Sequence, residues 1–374
     1  MNRTATAPHG AGHRPPAAGR VPWVQRLRRG LVAVVAGVAW GLAALPLAAT
    51  AAATDAPVAC PPAPVSPTAA QWAQARSTDR GFLWQLQRDG RTSWLYGSLH
   101  VGRPAWVALG PQVAAALADS QVLALEIDPA DPGTAAALAS EPGTPAPAAA
   151  LPKALQQRLA RAVAAACLPD GALSGMAPAL QAVVLSVLEA RWLGLDPAFS
   201  QELALSQRAR ERGLPVVALE TVALQKQVLV PAQPADAQSL VATTLGQLEK
   251  GQGRRSAERL AQAWAQGDLA TLENHAQWCG CADTPADRAA LRDLNDARNP
   301  ALAQGIVQLH AQGRSVFAAV GALHMTGPAA LPRLLAAQGF QVKRVALQVA
   351  APGFWSAAHN AAAPAPAAHA SAPN

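Results

Sequence analysis

Acidic residues are absent from the first 53 positions of this chain, which hold six arginines (Arg3, Arg14, Arg20, Arg26, Arg28 and Arg29). With that stretch set aside, the formal charge of +7 falls to +1, because 24 basic residues face 23 acidic ones in the remainder. A phosphate-binding surface has no support in such a composition, and no nucleic-acid partner is expected. Cysteine is scarce as well: Cys60, Cys167, Cys279 and Cys281 include no pair at the two-residue spacing of ordinary zinc motifs, and Cys279-Gly280-Cys281 is too close for one. Histidine is limited to six positions beyond residue 53, so any regularity among them carries weight. The 51% hydrophobic content suffices for a core, although much of it is alanine, which buries little surface per residue.

The basic head has the form of a targeting segment. Arg26-Leu27-Arg28-Arg29 precedes an apolar run over 31–49, and the small residues Ala48-Ala49-Thr50-Ala51-Ala52-Ala53 suit a signal peptidase. Residues 1–53 therefore read as an export signal or, if uncut, as a single membrane anchor, since the run approaches the roughly 20 residues that span a bilayer. The protein is expected to be exported, periplasmic or extracellular, and to meet a membrane only through this segment. In an oxidising compartment four cysteines point to disulfides, with three connectivities open. Residues 54–79 read as a Pro/Ala-rich linker, 80–350 as the folded domain and 351–374 as an Ala/Pro tail without fixed structure.

Within the domain, alternating Phe82-Leu83-Trp84-Gln85-Leu86 and Thr92-Ser93-Trp94-Leu95-Tyr96 flank Asp89-Gly90, a hairpin turn signal. A helix is predicted over 111–120 and a buried strand over 122–127, after which 128–152 lacks periodicity and reads as a flexible insertion. Helical spacing follows over 153–167, 178–192 and 201–212, then a strand over 216–220. Residues 238–275 and 287–312 read as further helices, the first group on a polar surface. A buried strand over 315–320, a helix over 329–338 and a strand over 341–347 complete the domain. The fold class is α/β (α+β), with a mixed central sheet and a helical middle region.

One short pattern occurs twice, Tyr96-Gly97-Ser98-Leu99-His100 and Val320-Gly321-Ala322-Leu323-His324. Each copy follows a strand and precedes a helix and a second strand, so 92–127 and 315–347 form two related halves. In one sheet, both histidines would stand at the carboxyl ends of strands, where open α/β sheets hold ligands. The glycine of Gly-x-x-His permits a sharp turn or close approach, and the imidazole serves as metal ligand or general base. Glu126 and Glu220 each end an apolar strand, a costly place for a carboxylate without a partner. Two imidazoles with one or two carboxylates suit a divalent cation with an open position for water, or metal-free acid–base chemistry. Arg298, before Asn299-Pro300, is a candidate to hold a substrate carboxylate or a developing oxyanion. The remaining histidines, including His310, read as solvent-facing, and Trp84, Trp94 and Trp106 as packing residues.

Taken in order, Trp94-Leu95-Tyr96-Gly97-Ser98-Leu99-His100, Leu125-Glu126, Leu219-Glu220-Thr221 with Gln225, Arg298-Asn299, and Phe317-Ala318-Ala319-Val320-Gly321-Ala322-Leu323-His324 with Gly327 resemble the TraB/GumN family, related to the Tiki proteases. The resemblance implies two related halves around a mixed sheet and an active site on both histidines and an acid. It further implies metal-dependent hydrolysis of a peptide or another amide or ester, with manganese, cobalt or zinc held by His100, His324 and Glu126. Glu220 and Arg298 would assist. A ligand-binding or accessory envelope protein on the same fold is the alternative, and oligomeric state is left open.

Overall fold

The computed structural model describes residues 60–139 and 151–349. The arginine-rich and apolar head, residues 54–59 of the expected linker, 140–150 of the expected insertion and the 351–374 tail lie outside the described residues. No described helix is long and apolar enough to cross a membrane.

Six strands form one mixed sheet: β1 (Phe82–Arg88), β2 (Arg91–Ser98), β3 (Val122–Leu125), β4 (Val216–Ala218), β5 (Val316–Gly321) and β6 (Gln341–Val345), in the order β4-β3-β5-β2-β1-β6. Asp89 and Gly90 both adopt positive φ, 51° and 68°, which tightens the β1–β2 hairpin. β2, β5, β3 and β4 run parallel, whereas β1 is antiparallel to both β2 and β6. β3 and β5 are buried along their whole length, as parallel strands covered on both faces should be.

Both expected halves are present, and they interleave. The first passes from β2 through the helix Pro111–Ala118 to β3, with β5 lying between its two strands; the second passes from β5 through the helix Leu331–Ala337 to β6, beyond β2 and β1. β2 and β5 are therefore direct neighbours, in register at Gly97↔Val320 and Ser98↔Gly321. Their chains then depart toward opposite ends of the sheet. The glutamate-bearing strands are shorter than the apolar runs predict, with β3 ending at Leu125 and β4 at Ala218. Pairing persists for one further step, through Leu219 N–H to Leu125 C=O at 2.7 Å and Glu220 N–H to Glu126 C=O at 2.9 Å.

Two expectations are corrected. Residues 69–77 of the expected linker form the helix Ala69–Ser77, closed by a capping box between Thr68 and Gln71. Asp79 just beyond it is buried and accepts from the N–H groups of Gln112 and Val113 at the start of the helix Pro111–Ala118. The domain thus begins before residue 80. Within 128–152, Pro132–Ala139 is a helix, with Asp131 Oδ2 accepting from Thr134 N–H at 2.8 Å. Alanine, the best helix former, and proline in the first turn explain a helix that apolar periodicity could not reveal.

The middle region has its own small core, in which Leu155, Leu159, Leu173, Leu185, Val241 and Leu245 are buried. Its helices are Lys153–Ala165, Pro178–Leu188 and Pro234–Glu249. The helix Gln252–Ala265 does not rest on a polar surface: Trp264 is fully buried in the main core, and its Nε1–H donates to Gly97 C=O at 2.8 Å. Of the three possible connectivities the structure holds Cys60–Cys167 and Cys279–Cys281. The first closes a separation of 107 residues and the second a separation of 2. In the chain-entropy account, a closure near 100 residues stabilises by about 4–5 kcal/mol and a three-residue closure by less than half of that. Cys60→Ala with Cys167→Ala is expected to lower the unfolding free energy by about 2–4 kcal/mol in guanidinium titrations, and Cys279→Ala with Cys281→Ala by distinctly less. Equal losses would refute this division.

Candidate functional site

The two motif glycines face each other's half. A Cβ on Gly97 would meet Met325 Cγ, in the turn that carries His324, and Phe82 Cδ2, at the start of β1, both at 3.2 Å. A Cβ on Gly321 would meet His100 Nε2 at 3.1 Å and Glu126 Oε1 at 3.2 Å. Each glycine therefore serves the neighbouring strand's motif, letting the second turn pack on β2 and letting His100 and Glu126 settle over β5.

His324 is buried and its proton is assigned by its neighbours. Asn299 Nδ2 donates to His324 C=O at 3.2 Å and to Ala329 C=O at 2.9 Å, so its Oδ1 is the acceptor that faces His324 Nδ1 at 2.6 Å. Nδ1 carries the hydrogen and Nε2 a lone pair, 3.4 Å from Arg298 Nη1 and 3.9 Å from Glu126 Oε2. Burial pulls the imidazole pKa down to about 4, and the Arg298 charge acts in the same direction, so the ring is neutral near pH 7.

His100 is the open member, with 62% of its side-chain surface exposed. Its Nδ1 lies 3.0 Å from Glu202 Oε1, which also accepts from Ser98 Oγ at 2.5 Å. The Glu202 carboxylate raises the His100 pKa to about 9, against the opposing effect of desolvation. Solvent around the ring screens part of that attraction. Burial alone would raise the Glu202 pKa, but His100 and the hydrogen bonds from His100 and Ser98 bring it below the usual range. Among the described residues, Glu202 Oε2 is buried without a hydrogen-bond partner.

Arg298 joins the two glutamates. Its Nε donates to Glu220 Oε1 at 2.9 Å, Nη2 to Glu220 Oε2 and Glu126 Oε2 at 2.5 Å each, and Nη1 to Leu294 C=O at 2.9 Å. With Nη1 also facing His324, its five N–H groups are engaged. Arg298 is thus a clamp on Glu126 and Glu220, with no donor left to hold a substrate carboxylate. Gln225 Nε2 adds longer contacts, 3.5 Å to Glu126 and 3.4 Å to Glu220. Glu126 Oε1 accepts from Gly321 N–H at 2.7 Å. Burial would raise the Glu126 pKa, but His324, His100, Arg298 and the Gly321 N–H together lower it to about 2.

All five residues read from the sequence, His100, His324, Glu126, Glu220 and Arg298, converge here. Glu202 and Asn299 had no assigned role. An acid in a helix's first turn is ordinary, so Glu202 in Gln201–Glu211 gave no signal. Asn299 follows Arg298 directly and was visible only as part of a motif. His310 is not solvent-facing: it is buried, with Nδ1 2.8 Å from Ser93 Oγ and Nε2 3.1 Å from Arg88 C=O.

The donors suit a divalent cation in kind and orientation, because each imidazole has Nδ1 engaged by Glu202 or Asn299 and Nε2 on the Glu126 side. They are not drawn together: among the described residues, only His275, Cys279 and Cys281 place three candidate ligand atoms within 4.8 Å of one another. An ion bound at about 2.0–2.2 Å by His100, His324 and Glu126 requires the exposed His100 to swing inward and Arg298 Nη1 to release His324 Nε2.

A mixed sheet with paired strand-end histidines over a buried, arginine-clamped carboxylate pair defines an α/β protein whose two halves share one site. The family model described as the TraB/PrgY/gumN family matches residues 82–344, and the chain belongs to that family. The matched stretch runs from the start of β1 into β6 and includes every residue of the site. No curated protein and no solved structure matches the chain.

Glu202→Gln should lower the His100 pKa from about 9 toward the ordinary value near 6.5, measured by NMR titration of the His100 ring. Because His100 binds its proton more tightly when folded, the wild-type pair contributes stability below pH ~6.5 that is lost as pH rises through about 9. An unchanged ring titration in the variant would exclude Glu202 as the cause.

Proposed function

We propose that this protein is an exported, metal-dependent hydrolase acting on a peptide or another amide or ester bond. The observation that carries the reading is the pair of imidazoles at the ends of β2 and β5, each oriented through Nδ1 and turned with Nε2 toward the Glu126 side. The basic and apolar head supports export. His100, His324 and Glu126 would hold manganese, cobalt or zinc, and the ion when bound would polarise a carbonyl and lower the pKa of a water.

The chain's own residues have distinct tasks in this reading. Glu202 and Asn299 fix the two imidazoles. Arg298 and Gly321 N–H keep Glu126 ionised, so it is ready as a ligand or as the acceptor of a proton from water. Glu220 anchors the far side of Arg298 and keeps the guanidinium in line with Glu126. His100, at the solvent side, is placed where an incoming carbonyl would first meet the site. The second reading is a ligand-holding accessory protein, favoured by one observation: Arg298 already compensates Glu126 without any ion.

Protein stripped with chelator and reloaded with manganese, cobalt or zinc should hydrolyse members of a mixed peptide library. His100→Ala and His324→Ala should each lower the rate by at least ~10²-fold. Gly321→Ala, whose Cβ presses on His100 and Glu126, should reduce turnover with a smaller change in melting temperature. Bound metal without turnover would favour the accessory role, and absence of both would sink the hydrolase reading.

A further inference from the structure

A second group of chemically capable side chains lies away from the strand ends. His275, Cys279 and Cys281 offer three ligand atoms within 4.8 Å of one another. The two cysteines are joined as a disulfide, S–S 2.06 Å, so their sulfurs have no thiolate to offer in this state. A bridge that closes only Cys279-Gly280-Cys281 restricts little of the unfolded chain, and its structural return is correspondingly small.

Contacts other than the bridge also hold the loop. Ser256 Oγ donates to Cys279 C=O at 2.8 Å and Gln247 Nε2 to Gly280 C=O at 3.2 Å. Gly280 has φ +62°, and a Cβ there would run into the Gln252 side chain. The imidazole is held too: His275 meets Trp278 edge-on at 4.8 Å between ring centroids, and Trp278 is fixed by Nε1–H to Thr271 C=O at 3.0 Å with Arg259 over its ring at 4.7 Å. Cys279 is buried, whereas Cys281 and His275 are half-buried, so a small reductant or ion can approach from one side.

We propose that Cys279, Cys281 and His275 form a reducible site for a thiophilic cation of the zinc type, closed by the disulfide in its oxidised state. Reduction by a dithiol transfers two electrons and two protons to the Cys279–Cys281 bond and converts the dithiol to its own disulfide. The freed thiols then bind the cation as thiolates and release both protons to water. Two thiolates and one imidazole leave a fourth position for water or another ligand. The spacing is shorter than in ordinary zinc motifs, and the sulfurs must separate to admit the ion. The left-handed Gly280 between them gives the loop the backbone freedom to do so.

The test uses the full chain, treated with dithiothreitol, desalted under argon and titrated with cobalt(II). The reduced protein should take up cobalt with thiolate-to-cobalt charge-transfer absorption, which histidine and carboxylate ligands at the strand ends cannot produce, and zinc should displace it. The oxidised protein and Cys279→Ser with Cys281→Ser should lack the band, the latter retaining Cys60 and Cys167 as an internal control. His275→Ala should still be reduced, by thiol count, and bind about tenfold or more weakly. The proposal falls if dithiothreitol leaves the Cys279–Cys281 bond intact in the folded protein, if the reduced protein shows no band, or if His275→Ala binds as tightly as the parent.

Discussion

Everything at the strand ends depends on one buried cation. Arg298 lies between Glu126 and Glu220, two carboxylates that follow β3 and β4 in a place with almost no solvent. Without it Glu220 would lose its ionic partner and Glu126 would keep only the Gly321 N–H and the two imidazoles, and breaking a buried pair of this kind costs about 3–5 kcal/mol. The clamp thereby links three segments, the ends of β3 and β4 and the start of the helix Asn299–Ala311. It leaves Glu126 Oε1 for the Gly321 N–H, which brings β5 into the same network.

Around this clamp the imidazoles are made unlike each other. His324 is buried and neutral, with its proton assigned by Asn299, and it behaves as a fixed lone-pair donor. His100 is exposed and carries its charge beside Glu202. One ring belongs to the frame and the other to the mouth. The difference comes from their surroundings alone, since the two motifs are the same Gly-x-x-His.

The recurrence of that motif, the neutral charge of the body and the acids after apolar strands were legible in the chain, and they led to the five residues that converge. The turn at Asp89-Gly90 and the long buried β5 were equally plain. What could not be read was anything that depends on which strands become neighbours. Glu202 is an unremarkable first-turn acid until β2 brings His100 beside it, and Arg298 looked like a substrate anchor until both glutamates claimed its donors. The helix Pro132–Ala139 was hidden because alanine favours a helix through backbone propensity and leaves no apolar stripe. His310 was misread for the complementary reason: Ser93 and the Arg88 carbonyl satisfy a histidine that the local sequence would place in water.

The interleaving of the two halves has a consequence for how the molecule comes into being. β5 lies between β2 and β3, yet it is made more than two hundred residues after β2, so the centre of the sheet stays vacant until most of the chain exists. Contacts of such separation carry a large closure entropy and form late. A growing chain that has not reached residue 316 holds Glu126, Glu220 and Arg298 but lacks β5, the Gly321 N–H and His324. The five residues of the candidate site therefore cannot all meet until the chain has passed His324.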